Sequence, residues 1–262
     1  MSEQQKAQVQ AQFGPSAAAY VTSAGHATGP DLEQLLAWGR KRGATRVLDM
    51  ATGGGHTALA FSRFTPSVVA VDLTLPMLRA ASEFTLAQTA APEARPIRFL
   101  AADVEALPFR AGTFGIVTCR IAAHHFPALL PVLREVARVL RAGGSFLVQD
   151  ILGHDDAEAA AFITEVERRR DPSHVRAFRQ LEWTAFLRAA GLTVMDEAVM
   201  SRRRSWDDWT SRMRMTVEAR ADLERFVLAA PARLREAFEF AIEHDRVVSF
   251  SDRMLLLRAD RD

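Results

Sequence analysis

Val47-Leu48-Asp49-Met50-Ala51-Thr52-Gly53-Gly54-Gly55-His56-Thr57-Ala58 is the stretch whose reading decides the fold. A short apolar run ends in an acid, turns through consecutive glycines and continues into the helix formers Ala58-Leu59-Ala60-Phe61. Glycine reaches positive φ without strain and lets a ligand approach backbone amides that a Cβ would shield. A strand, a tight turn and a helix N-terminus in that order make a nucleotide cradle, with N–H groups aimed at the ligand. The acid narrows the choice of nucleotide. A carboxylate at the tip of the first strand sits badly beside a pyrophosphate and well beside a cationic group.

Gly53-x-Gly55-x-x-Ala58 also satisfies the dinucleotide fingerprint G-x-G-x-x-G/A, so the turn alone leaves two ligands open. One is a nicotinamide dinucleotide. The other is S-adenosylmethionine (SAM), which carries an ammonium and a sulfonium and no phosphate. Ser67-Val68-Val69-Ala70-Val71-Asp72 is a second β-branched strand ending in an acid, where a carboxylate takes ribose hydroxyls in both cases. A third acid, Asp103, closes the strand-like run Ile97-Arg98-Phe99-Leu100-Ala101-Ala102. Its spacing, and the sequel Val104-Glu105-Ala106-Leu107-Pro108-Phe109, favour SAM.

These residues resemble those of the class I SAM-dependent methyltransferases of the small-molecule kind, the group that includes the ubiquinone and menaquinone biosynthesis methyltransferases. The resemblance is strong over residues 13–152 and looser beyond. Asp49-x-Ala51-x-Gly53-x-Gly55 resembles the family's D-x-G-x-G-x-G loop, Val71-Asp72 its ribose-binding acid, and Ala102-Asp103-Val104 its adenine-binding acid. Ala111-Gly112-Thr113-Phe114-Gly115-Ile116-Val117 resembles the fourth strand, and the run from Leu133 to Gly144 the helix and turn before the fifth. Two positions depart from the pattern. Ala51 stands where the family usually has its first glycine, a mild change if φ there is negative. Gly115 replaces a common acid.

The resemblance implies an α/β, Rossmann-like, seven-stranded and mostly parallel sheet, with helices on both faces and the last strand antiparallel. The alternation of the sequence agrees: strands at 46–50, 67–72, 97–101, 114–119 and 145–151, helices at 55–64, 76–90 and 127–141. A helix capped by Asp31 precedes them, ending near Arg42. Helices at 156–169 and 180–190, a strand at 192–199, a helical stretch over 201–245 and a closing strand at 248–258 follow. The chain reads as one domain over 1–262: an N-terminal lid at 1–28, a SAM-binding core at 29–152, and C-terminal strands with a helical cover on the substrate side.

Ligands of such sheets bind outside the C-terminal strand ends. Asp49 would then balance the methionine ammonium of SAM, directly or through water. Ala51, Thr52, Gly53 and Gly55 would form the loop that admits the ligand. Asp72 would take the ribose hydroxyls. Asp103 and the Val104 amide would hold the adenine, with Leu73 and Met77 on its faces. Arg120 is a further cofactor candidate. His124 and His125 follow the fourth strand, where one of them could serve as general base; the plainer alternative is that they pack and bond the backbone. Phe13 and Tyr20 lie in the lid segment, where an aromatic face could meet the sulfonium.

Composition bounds the partners. The chain has 262 residues and a formal net charge of +1, which gives no reason to expect nucleic acid or a membrane. A lone cysteine, Cys119, excludes an internal disulfide and a cysteine-rich zinc site, and no metal is expected. No long apolar run or signal-like N-terminus is present, so the expected location is the cytoplasm. The run Arg202-Arg203-Arg204 with Trp206 and Trp209 is interleaved with acids and reads as a mixed-charge cover, an arginine of which could bind an anionic acceptor. The expected activity is methyl transfer from SAM to a small molecule, with S-adenosylhomocysteine (SAH) as product. A nicotinamide-dependent oxidoreductase and a non-catalytic SAM-binding regulator stay open as alternatives.

Overall fold

The central runs pair side by side because they are apolar on both faces and must be covered twice. The computed structural model describes residues 2–22, 27–88 and 95–262. Strands β1 (Arg46–Met50), β2 (Ser67–Asp72), β3 (Ile97–Ala101), β4 (Phe114–Arg120) and β5 (Leu140–Ile151) lie parallel in the order β3-β2-β1-β4-β5. Strand β8 (Arg246–Arg261) continues the sheet antiparallel to β5, and β6 (Leu192–Ser205) pairs antiparallel with β8. The expected architecture is present, with one addition. A short β7 (Ala241–Glu243) forms a hairpin with β8 and brings the sheet to eight strands.

Period-two alternation assigns neighbouring residues to opposite faces. Leu48, Val117, Phe146, Leu255 and Leu257 pack on one face, under α6 (Leu129–Val139) and α8 (Gln180–Ala189). Val47, Ile116, Leu147 and Leu256 pack on the other, under α3 (Pro30–Arg42) and α4 (His56–Ser62). A third cluster joins α7 (Ala157–Arg170) to α9 (Trp206–Ser211), α10 (Val217–Ala229) and α11 (Ala232–Ala237), and encloses both Trp206 and Trp209. Ahead of the sheet come α1 (Glu3–Phe13) and α2 (Ala17–Val21), and α5 (Leu75–Gln88) links β2 to β3. Residues 1 and 23–26 of the expected lid and the last two of the helix expected over 76–90 lie outside the described residues.

Two expectations are corrected. The helical stretch over 201–245 begins with strand: Arg202, Arg203, Arg204 and Ser205 pair with Asp252, Ser251, Phe250 and Ser249 of β8. The pairing is non-local, and Arg204 seals it by donating Nε–H to Asp252 Oδ2 at 2.5 Å. Asp31 is not the cap of its helix. Gly29 holds that position with Pro30 at the first helical residue, and the Asp31 carboxylate instead accepts from Arg120 Nη2 at 2.8 Å. Among the described residues no helix is long and apolar enough to cross a membrane.

Candidate active site

The sheet order reverses between β1 and β4, and such a switch point opens a crevice at the C-terminal strand ends. The crevice is a cavity of about 1240 Å³ counting its open mouth. One side is built from the ends of β1 to β4, the other from α1, α2, α7, β6 and α9.

The glycine turn is held from beneath. Asp49 pairs in register with Thr118, and its Oδ1 accepts the Thr118 hydroxyl at 2.6 Å. Its Oδ2 accepts the Thr52 hydroxyl at 2.6 Å and the Ala58 N–H at 3.2 Å. Burial pushes the acid up to about 6, against those donors and Arg120, which favour its charged form. The following residue but one, Ala51, has φ of +51°, so the condition under which alanine replaces glycine without strain is not met. The loop must reverse there while the Thr52 N–H bonds the Val71 carbonyl at 3.0 Å and its hydroxyl bonds Asp49.

Gly53, at φ +53°, donates its N–H to Asp72 Oδ2 at 2.9 Å, and a Cβ there would meet nothing within 4 Å. Gly54 packs closely against α2: a Cβ would lie 3.0 Å from the Tyr20 carbonyl oxygen, and the backbone there would have to give way by a few tenths of an ångström. Gly55, at φ +80°, faces Ala81 and Thr85 of α5 rather than the cavity.

Asp72 Oδ1 accepts the Thr74 N–H at 2.9 Å, so the carboxylate fixes both the glycine turn and the start of α5 while lining the cavity. A carboxylate has about four acceptor sites, so two bonds leave it able to take more. Asp103 also lines the cavity; Oδ1 accepts the Glu105 N–H at 2.9 Å, and Oδ2 lies 3.0 Å from Lys6 Nζ of α1. Helix α1 buries no residue and is held by polar ties. Gln5, Gln8 and Gln10 donate their Nε2 hydrogens to the carbonyls of Ser173, Pro172 and Leu73.

Beyond β4 the backbone passes Ile121 at φ +55°, an unusual angle for a β-branched residue, of the kind that gathers at functional sites. His124 follows. Its Nδ1 lies 2.6 Å from Asp150 Oδ1, and its N–H donates to Asp150 Oδ2 at 3.1 Å. Burial opposes the charge on both partners, but their mutual attraction offsets it: His124 is raised and Asp150 lowered. An ionised Asp150 only accepts, so Nδ1 keeps its proton in both the charged and the neutral ring and Nε2 is the atom that gains or loses one. Nε2 has no hydrogen-bond partner among the described residues. His125 differs. Its Nδ1 lies 3.1 Å from the Ser173 carbonyl, and burial together with the His124 charge pushes it down to about 4, so it is neutral at pH 7. Phe13 meets both Tyr20 and His125 edge-on, at 5.4 and 5.1 Å between centroids.

Of the candidate residues, Tyr20, Ala51, Thr52, Gly53, Asp72, Leu73, Met77, Asp103, Val104, Arg120, His124 and His125 line this one cavity. Asp49 and Gly55 do not. Arg120 is buried, donating Nε–H to Gln149 Oε1 at 2.7 Å besides its pair with Asp31. Arg204 and Trp209 of the distal wall come from the arginine-rich cover that the sequence offered for an anionic acceptor. Sequence reasoning missed His56, whose Nε2 lies 3.1 Å from the Tyr20 carbonyl oxygen, and Glu167, Arg170, Asp171 and Arg212 of that wall. No motif marks these; they converge only through the packing of α7 and α9 beside β6.

The chain matches the model of the methyltransferase domain over residues 48–148, which spans β1 to β5. It is 34% identical to the Bacillus subtilis (strain 168) methyltransferase YcgJ, itself uncharacterised, over 94% of this chain and 96% of that one. A crystal structure of a Bacillus halodurans C-125 protein, named provisionally as a methyltransferase, superposes with a TM-score of 0.83 at 35% identity, over 89% of this chain and 99% of that one. The demethylmenaquinone methyltransferase of Thermus thermophilus is 38% identical over 39% of this chain and 46% of its own.

Proposed function

Since the chain belongs to the methyltransferase family, we propose that it transfers the methyl group of SAM to a small-molecule acceptor. The observation that carries this reading is the convergence of Asp72 and Asp103 on one cavity beside the open face of Gly53. Two carboxylate acceptors, with the nearby ammonium of Lys6 already paired to Asp103, suit an uncharged ribose and adenine better than a pyrophosphate. Asp72 would take the ribose hydroxyls, Asp103 and the Val104 amide the adenine, with Leu73 and Met77 along its faces. Asp49 would act from beneath the loop, its charge felt through Thr52 rather than by contact. SAM bound there supplies an electrophilic methyl group.

The chain's own contribution is then position and proton control. His124, oriented by Asp150, would hold the acceptor or take its proton at Nε2; His125, neutral and tied to Ser173, would shape the pocket. Positioning of two reactants in a closed site can itself supply much of a rate enhancement. Helix α1, lacking buried anchors, is suited to open for exchange and to close through Lys6 and its glutamines. Calorimetric titration with SAH and with NAD tests the reading. SAH should bind and NAD should not; NAD binding without SAH binding would refute it.

A further inference from the structure

Resting on that reading, we propose that the methyl acceptor carries a carboxylate on a largely apolar body, and that Arg212 receives the carboxylate. Arg170, Arg204 and Arg212 all line the cavity, beside Trp209. Two of them are engaged. Arg204 pairs with Asp252 at 2.5 Å. Arg170 donates Nε–H to the Trp209 carbonyl at 2.9 Å, lies 3.5 Å from Glu167 Oε2 and stacks on the Trp209 ring.

Arg212, the residue that caps α9, is different: its side chain makes no hydrogen bond or ion pair among the described residues. The neighbouring acids are committed elsewhere. Glu167 faces Arg170, Asp252 holds Arg204, and Asp171 accepts the N–H and hydroxyl of Ser173 at 2.9 and 2.6 Å. Asp208, four residues back on α9, is exposed and forms no ion pair with Arg212. A guanidinium stays charged at any accessible pH and offers a planar fork of donors that matches a carboxylate. A half-buried guanidinium beside two like charges is costly unless an anion completes it. Phe13, Ile121, Ile151 and Trp209 also line the cavity, and they suit an apolar body behind the charged group.

Calorimetry with benzoate, benzamide and phenyl phosphate, on protein saturated with SAH and on protein without it, tests this. Benzoate should bind at least about tenfold more tightly than its uncharged isostere benzamide, as a charge-assisted bidentate contact requires. Arg212→Gln should abolish that preference while leaving SAH affinity unchanged, and Arg212→Lys should restore only part of it. Equal binding of benzoate and benzamide, or a preference that survives Arg212→Gln, overturns the proposal. Arg212-dependent binding of phenyl phosphate without benzoate overturns the carboxylate in favour of a phosphoryl acceptor. The preference should also appear without SAH, so a failed SAH titration counts against the cofactor reading and leaves the anion site to be judged on its own.

Discussion

Thr118 donates its hydroxyl to Asp49 Oδ1 at 2.6 Å across the pair β1–β4, whose register sets the two residues side by side. The acid that reads in sequence as a ligand contact is thereby part of the foundation of the glycine loop. Its charge still matters. With a folded value raised to about 6, above the ordinary carboxylate range, Asp49 favours the folded state most when protonated. That contribution is full below the unfolded value and lost as pH rises through about 6. At neutral pH the unliganded protein therefore carries a buried charge that a cationic ligand would relieve.

If Asp49 supports the ammonium of the cofactor, affinity for SAH should fall as pH drops through about 6, because the acid becomes neutral. Titration calorimetry between pH 5 and 8 in wild type and Asp49→Asn checks this. The variant should bind more weakly at pH 8 and show a flatter profile; identical profiles would remove Asp49 from ligand binding.

Asp72→Ala should weaken SAH by about two orders of magnitude, the scale of a charge-assisted bidentate contact. It should also lower the melting temperature, since the carboxylate anchors the Gly53 and Thr74 N–H groups. Calorimetry and thermal melts separate the two effects. A folded variant with wild-type affinity would exclude Asp72 as a ligand.

Ala51→Gly should stabilise the protein by about 0.5–1 kcal/mol. The left-handed conformation costs a residue with a Cβ about 1–2 kcal/mol, and the larger backbone entropy of unfolded glycine takes part of that back. Urea unfolding of the two proteins measures the difference. No gain would mean that the loop relaxes in solution to a negative φ.

The two adjacent histidines should behave differently. His124→Ala should lower turnover by about two orders of magnitude with SAH affinity intact, as loss of a general base does. His125 acts on stability. Its folded value, about 4, lies below the ordinary histidine range, so its contribution is present above about 6.5 and lost as pH falls toward 4. His125→Gln should therefore flatten the stability profile over that window. Chemical denaturation at a series of pH values reads it, and an unchanged slope would place the titration elsewhere.

The alternation of strands and helices, and the acids Asp72 and Asp103 that line the cavity, are legible in the sequence because both depend on short-range signals. A short apolar run closed by an acid repeats at β1, β2 and β3, with a glycine turn after the first, and parallel pairing carries the three strand ends to the same edge of the sheet. The extension of β6 through Arg204 is not legible, because Ser201–Ser205 becomes strand only by pairing with residues of β8. Nor is the part played by Asp49, which the register with Thr118 sets beneath the loop instead of in the cavity.

The sequence by itself determined the half of the site contributed by β1 to β4, where each residue's place follows from its distance to a turn. Only the tertiary structure decided the other half. Asp150 of β5 reaches His124, Lys6 of α1 reaches Asp103, and Arg170, Arg204 and Arg212 line one cavity with Trp209, each through contacts between segments far apart in the chain. Side chains brought together by burial of surfaces far apart in the chain share no spacing rule, so no local pattern announces them.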